Sequence, residues 1–325
     1  MLNKELRGRI FNIQRFTLHD GPGIRTELFF KGCPLNCLWC SNPEGLSPKL
    51  QLGIYKDKCI GYDKCALCVK ACPSDVSPLL FDDGAVTSIA GTICPDGCAA
   101  CAEACPASAV KQWGKDYTVG QLVDIVVADR GLYQRSGGGV TLSGGEVMLQ
   151  WEFASELLAA CKKNYIHTCV ESALYCDSEH MRAVYEYSDL VITDIKHMNT
   201  RLHKRFTGAG NELILANIRE TAAMNKKLVV RIPVIPGYND DDANILTTGR
   251  FILDHLTNCL IQLQLLPYRR MGTDKYDSLG IDYPLGDEYV PPEREVREAN
   301  LLRLAGVLCD MGLPAVAGGS VKYDA

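Results

Sequence analysis

Cys33, Cys37 and Cys40 stand in the spacing C-x3-C-x2-C near the start of the chain, and no other feature narrows its possibilities as much. Three thiolates can hold an iron–sulfur cluster but cannot saturate one, because a 4Fe–4S cubane takes four protein ligands. The iron left over is an open metal position, and such positions are where substrate chemistry happens. An aromatic residue, Trp39, directly precedes the last cysteine. The competing reading is a zinc site, or two structural thiols and a spare. Structural zinc takes four ligands in paired C-x2-C units, and no fourth Cys or His follows the triplet at matching spacing.

Eight more cysteines lie between positions 59 and 105 in two runs, Cys59-x5-Cys65-x2-Cys68-x3-Cys72-Pro73 and Cys94-x3-Cys98-x2-Cys101-x3-Cys105-Pro106. Each run ends in C-x2-C-x3-C-P, which resembles the bacterial ferredoxin pattern. In that pattern the fourth cysteine of one run ligates the cluster of the other. The resemblance implies one cluster on Cys59, Cys65, Cys68 and Cys105, and a second on Cys72, Cys94, Cys98 and Cys101. The first loop of each run is longer than the usual two residues. Two treble-clef zinc sites are the alternative. Cys161, Cys169, Cys176, Cys259 and Cys309 stand singly in apolar text and are expected to be small buried hydrophobes.

Composition sets the broad class. The chain has 325 residues, 47% hydrophobic and 22% charged, with a net charge of −5. It is globular, and long enough for one large domain or two of ordinary size. Scattered Lys and Arg on an acidic chain argue against a nucleic-acid partner. The N-terminal text is polar with no apolar h-region, so no export signal is read. No apolar stretch reaches ~18 residues, so no membrane span is expected. Sixteen cysteines in such a chain point to metal, not disulfides, and to a cytoplasmic location.

Residues 51–112 interrupt a longer alternating pattern. One strand-like run, Thr26-Glu-Leu-Phe-Phe30, leads into the triplet. After the interruption come strand-like runs at 140–143, 167–171, 190–195, 228–234 and 260–266. Helices are expected at 147–163, 178–187, up to about 225, at 241–255 and at 293–310. Short buried β runs joined by helices argue for a parallel sheet. Six such units are too few for an eight-fold barrel. The expected fold is α/β, a partial (β/α)6 TIM-like barrel formed by residues 1–50 and 113–325, with residues 51–112 as a ferredoxin-like insert carrying two 4Fe–4S clusters.

Barrel function concentrates at the C-terminal ends of the strands. The first expected strand ends at the triplet, the second at Ser143-Gly-Gly-Glu146, the third at Glu171-Ser172, the fourth at Asp194-Ile-Lys196, and the sixth near Tyr268-Arg269. Arg231 lies within the fifth, where an arginine amid Val and Ile wants an anion. Asp194 and Lys196, two apart on a strand, point the same way; a surface ion pair is the alternative reading of those two alone. Together with the triplet these motifs resemble radical S-adenosylmethionine (SAM) enzymes. The resemblance implies a barrel of this type, SAM on the open iron, and Trp39 beside the adenine. It implies that Gly144, Gly145 and Glu146 receive the ammonium group. It also implies SAM contacts from Glu171, Ser172, Asp194, Lys196, Arg231 and Arg269, with a monovalent cation near Asp194. Two departures stand out. Val147 follows the Gly-Gly-Glu motif where Pro is common, and Arg269 stands where many relatives have His.

The text Phe11-Asn-Ile-Gln14, His19-Asp-Gly-Pro-Gly-Ile-Arg-Thr26, Cys40-Ser-Asn-Pro-Glu44, Ser136-Gly-Gly-Gly-Val-Thr141 and Val234-Ile-Pro-Gly-Tyr-Asn239 resembles one branch, the activating enzymes of glycyl radical enzymes. That branch implies a reductive cleavage of SAM to methionine and a 5′-deoxyadenosyl radical, which abstracts hydrogen from a backbone glycine in the C-terminal glycine loop of a partner enzyme. It further implies a monomer, flavodoxin or ferredoxin as electron donor, and an anaerobic setting. Six histidines and no plausible triad suit a reaction that needs no general base. A radical SAM enzyme acting on a small molecule or peptide is one alternative. An iron–sulfur electron carrier is another, but a carrier has no use for a three-cysteine cluster or for Gly144-Gly-Glu146.

Overall fold

The computed structural model describes residues 3–90, 94 and 97–319. The chain ends of the expected barrel (1–2 and 320–325) and parts of the expected insert (91–93, 95 and 96) lie outside the described residues.

Thirteen strands are described: β1 (Arg7–Thr17), β2 (Arg25–Phe30), β3 (Gln51–Ile54), β4 (Leu79–Asp82), β5 (Ala85–Ile89), β6 (Val110–Trp113), β7 (Lys115–Thr118), β8 (Gly139–Gly144), β9 (His167–Glu171), β10 (Leu190–Asp194), β11 (Lys227–Val234), β12 (Leu260–Pro267) and β13 (Ala315–Ala317). Nine form one sheet in the order β13-β12-β11-β10-β9-β8-β2-β1-β7. From β2 to β13 every pairing is parallel, while β1 is antiparallel to both β2 and β7. The six runs read from the sequence are β2, β8, β9, β10, β11 and β12, adjacent and in chain order. The long antiparallel β1, the edge strand β7 and the short β13 are additions that the sequence reading lacked.

Strand alternation divides the two faces. Leu228, Val230 and Ile232 of β11, with Val170 and Val191, join the main core beneath the helices. Val229, between them, instead meets Cys169, Leu190 and Ile192 in a small cluster on the other face. That second face turns polar toward the strand ends, where Glu27, Ser143, Arg231 and Gln264 are all buried. Buried polar groups need partners, and these residues build the floor of the site described below.

The helices mostly follow the expected spans: Trp151–Lys163, Ser178–Tyr185, Asp242–His255 and Arg294–Asp310. Residues 147–150 form a 3₁₀ turn ahead of the first. The text up to 225 is two helices, Thr200–Thr207 and Glu212–Ala223, because Gly208 takes φ +87° and ends the former. The proline-punctuated segment after β12 contains a further helix, Thr273–Leu279. Cys161, Cys169, Cys176 and Cys259 are buried as expected, but Cys309 is exposed near the end of its helix. That position belongs to the helix's outer side, so the expectation of five buried thiols is corrected to four.

Between β2 and β7 the chain leaves the sheet. β3 and β6 pair antiparallel, bringing Gln51 opposite Trp113, and β4 pairs with β5. Two one-turn helices, Leu67–Lys70 and Ala100–Glu103, carry Cys68 and Cys101. Ile54, Leu79, Val86, Ala109 and Val110 form a separate small core around these two cysteines.

Candidate active site

Every parallel strand from β2 to β10 delivers its C-terminal end to one rim. Directly after β2 the triplet loop is pinned on two sides. Gly32 N–H and Cys33 N–H donate to Gly45 O (2.7 Å) and Leu46 O (3.0 Å), while Asn36 N–H and Leu38 N–H donate to Thr207 O (2.7 Å) and Phe206 O (3.0 Å). The last two acceptors are carbonyls at a helix C-terminus that have no partner within the helix. The three thiols lie close together, Cys37 and Cys40 electrostatically disfavouring ionisation of Cys33, and Cys40 that of Cys37. Burial pushes Cys33 and Cys37 up to about 12, and raises Cys40 as well. Among the described residues none of the cysteines is in a disulfide.

The end of β8 must come close to this loop. Gly144 has φ +106°, and a Cβ on Gly145 would stand 2.2 Å from Gly32 O, so the pair needs glycine for contact as well as conformation. Glu146 follows, fully buried. Its N–H donates to Gly32 O at 2.7 Å. Its carboxylate accepts from Ser172 Oγ (2.6 Å), Met148 N–H (3.1 Å) and Ala173 N–H (3.1 Å). Burial raises its pKa, and these hydrogen bonds oppose that shift. Glu146 therefore ties the ends of β2, β8 and β9 together.

Lys196, just past β10, is buried and pairs with Asp194 Oδ2 at 2.5 Å. Burial works against its charge, yet Asp194 and the thiols of Cys37 and Cys33 raise its pKa overall. Lys196 is buried and Asp194 half-buried, and the ammonium lies within electrostatic reach of the triplet's thiols. Asn239 closes the next gap, donating to Lys196 O (2.9 Å) and Pro233 O (2.7 Å). Trp39 is buried among aromatics, with ring centroids 6.3 Å from Phe206 and 6.2 Å from Tyr238.

Arg231 lies within β11, opposite Asp194 of β10. Its guanidinium pairs with Asp20 Oδ1 (2.8 Å) and with Glu171, and donates to His19 O (2.8 Å) and Gln264 Oε1 (3.0 Å). The anion that the sequence reading sought for it is supplied by two protein carboxylates. Glu171 in turn accepts from Ser143 Oγ at 2.5 Å. Asp20, Glu27 and Glu171 each place a carboxylate oxygen within 4.8 Å of the others. Arg269 is exposed beyond the end of β12 and is not gathered with this group. Glu27 was missed at the sequence level, although a carboxylate inside the apolar run 26–30 was a usable signal.

Comparison with known proteins decides the family. The Radical SAM superfamily profile matches residues 88–248. The (2S)-3-sulfopropanediol dehydratase activating enzyme of Klebsiella oxytoca is 46% identical over 99% of this chain and 100% of its own. The chain belongs to the radical SAM activating enzymes of glycyl radical enzymes. The 4-hydroxyphenylacetate decarboxylase activating enzyme of Clostridioides difficile strain 630 is 38% identical to this activating enzyme, over 98% of this chain and 99% of its own. A crystal structure of a domain of a pyruvate-formate lyase-activating enzyme from Bacteroides vulgatus is 32% identical, covering 56% of this chain and 99% of that chain, with a TM-score of 0.46.

Membership in this family implies SAM and a 4Fe–4S cluster, and the donor set of the activating enzyme fits them. Three soft thiols sit together beside a buried ammonium and an aromatic cluster. The cysteines between positions 59 and 105 also gather. Cys59, Cys65, Cys68 and Cys105 line one small cavity. Among the others, Cys94 lies within electrostatic reach of Cys98, Cys72 and Cys101. Among the described residues no helix is long and apolar enough to cross a membrane.

Proposed function

We propose that this chain activates a glycyl radical enzyme by reductive cleavage of SAM and removal of a hydrogen atom from a backbone glycine in the partner's C-terminal loop. The observation that carries this reading is the gathering of Cys33, Cys37 and Cys40 at one rim with the Asp194–Lys196 pair and the Glu146 clasp. When bound, the cluster supplies an electron and an open iron position, and SAM supplies the carbon centre that takes the hydrogen. The protein's part is placement and exclusion of water. Glu146 holds three strand ends in register, so that the carbonyls around Gly144 and Gly145 are fixed acceptors for an ammonium group. Lys196 offers a desolvated cation to a carboxylate or ribose, and Asp194 holds it there while remaining available to a monovalent cation. Trp39 walls the triplet from solvent and offers its ring to an adenine.

The same reading takes residues 1–50 and 113–325 as a partial barrel and residues 51–112 as a ferredoxin-like insert. The four cysteines lining one cavity support a 4Fe–4S cluster on Cys59, Cys65, Cys68 and Cys105. The electrostatic grouping of the rest supports another on Cys72, Cys94, Cys98 and Cys101. These two clusters would pass electrons from a flavodoxin or ferredoxin to the triplet. The working form is taken as a cytoplasmic monomer under anaerobic conditions. The first partner to try is a sulfopropanediol-type dehydratase, the enzyme named in the 46%-identical relative.

The test is anaerobic. The protein is loaded with iron and sulfide, reduced, mixed with SAM and the partner, and 5′-deoxyadenosine and the partner's glycyl radical are quantified. Both are expected from the native protein and neither from a Cys33→Ala, Cys37→Ala, Cys40→Ala variant. Equal yields from the two proteins would overturn the assignment.

A further inference from the structure

Helix Thr273–Leu279 is wedged between the triplet and the insert. On one side Gly272, at φ +78°, lies so close that a Cβ there would stand 2.5 Å from Ser41 O. Tyr276, 1% exposed, donates its hydroxyl to Cys40 O at 3.2 Å. On the other side a Cβ on Gly53 of β3 would stand 3.0 Å from Ser278 Oγ, and 2.6 Å from Trp113 Nε1. The helix thus touches the third cysteine's backbone and the first strand of the insert.

A charge pair lies in this seam. Lys275 Nζ pairs with Glu44 Oε1 at 2.6 Å and reaches Asn42 Oδ1 (3.2 Å) and Ser41 O (3.3 Å). Glu44 is 2% exposed, and its second oxygen has no hydrogen-bond partner. Lys31, also buried, donates to Glu44 O (2.6 Å) and to Gln51 Oε1 (2.8 Å). The turn from Cys40 to Glu44 is therefore gripped by two ammonium groups, one from the end of β2 and one from a helix more than two hundred residues later in the chain.

We propose that Lys275 is a positioning residue that sets the reduction potential of the cluster held by Cys33, Cys37 and Cys40, with Glu44 as the opposing charge. The proposal rests on the function argued above. A one-electron reduction adds negative charge to the cluster, and cluster potentials follow local charge, hydrogen bonding and solvent exposure. A fixed cation beside Cys40 favours the reduced form, and a fixed anion opposes it. Glu44 is buried and Lys275 half-buried, and the reduced dielectric there makes both effects larger than they would be in water.

The test is a potentiometric titration of the reconstituted holoprotein, with the triplet's cluster followed by its SAM-perturbed electron paramagnetic resonance signal. Lys275→Met is expected to lower the midpoint potential, so that the reduced fraction at a fixed potential falls several-fold. Glu44→Gln is expected to raise it, and Lys275→Arg to keep the native value. Mere loosening of the helix would admit water and raise the potential in Lys275→Met, which is the opposite sign. An unchanged or raised midpoint in Lys275→Met overturns the role of Lys275 and leaves the triplet assignment standing. Absence of any SAM-perturbed signal in the native protein overturns both.

Discussion

Glu146 and Ser172 are joined by a 2.6 Å hydrogen bond that spans the ends of two neighbouring parallel strands. The carboxylate is fully buried and takes two further backbone donors, so its loss strands three donors where water cannot reach them. An unsatisfied buried group costs about 1–3 kcal/mol. Glu146→Ala should therefore lower stability by roughly 3 kcal/mol or more. Ser172→Ala removes two hydrogen bonds, the one to Glu146 and the one its Oγ accepts from Leu174 N–H at 3.0 Å, and should cost about 2 kcal/mol. Urea unfolding of the apoprotein variants measures both. Equal small effects would mean that the clasp contributes nothing to the rim.

Glu27 gives the activating enzyme a pH signature. Burial, followed by the nearby Asp20 and Glu171 carboxylates, holds its pKa far above the ordinary 4.5. The folded state keeps this proton while the unfolded state loses it above about pH 4.5. Folded protein then binds more protons, and the contribution of Glu27 to stability falls as pH rises from there into the alkaline range. Glu27→Gln keeps the shape and a donor but cannot ionise. It should be more stable than the native protein at pH 8, with a gap that widens from pH 6. Parallel stability curves across pH 6, 7 and 8 would contradict a protonated Glu27.

The insert is tested apart from the triplet. A Cys98→Ala, Cys101→Ala variant removes two expected ligands while leaving Cys33, Cys37 and Cys40 intact. It should bind SAM as tightly as the native protein by equilibrium dialysis. It should also slow multiple turnover with flavodoxin or ferredoxin, with lower iron content per chain. Full turnover rates with each physiological donor would rule out electron relay through the insert.

The readable part of this fold was the part written locally. Runs such as 190–195 and 228–234 are apolar, short and bounded, and burial on both faces explains why they stand out. The strand-end motifs were legible for the same reason, because each directly follows its strand. β1 was not legible, since exposed and buried positions mix along it without a clean alternation. β13 has only three residues. The partners of Arg231 were hidden by distance along the chain, with Asp20 lying 211 positions away. Lys275 meets Asn42 across 233 positions, and no local pattern marks either lysine or acid for that contact.

The β3–β6 pairing places Gln51 directly opposite Trp113, so the two ends of the segment between them lie one strand-width apart. An insertion with adjoining ends asks almost nothing of its host, because loop-closure entropy depends only weakly on how much chain lies between two points already held together. A short turn from residue 50 to residue 114 could replace everything between without moving a strand of the parallel sheet. What such an excision would sever is the lateral contact with helix 273–279.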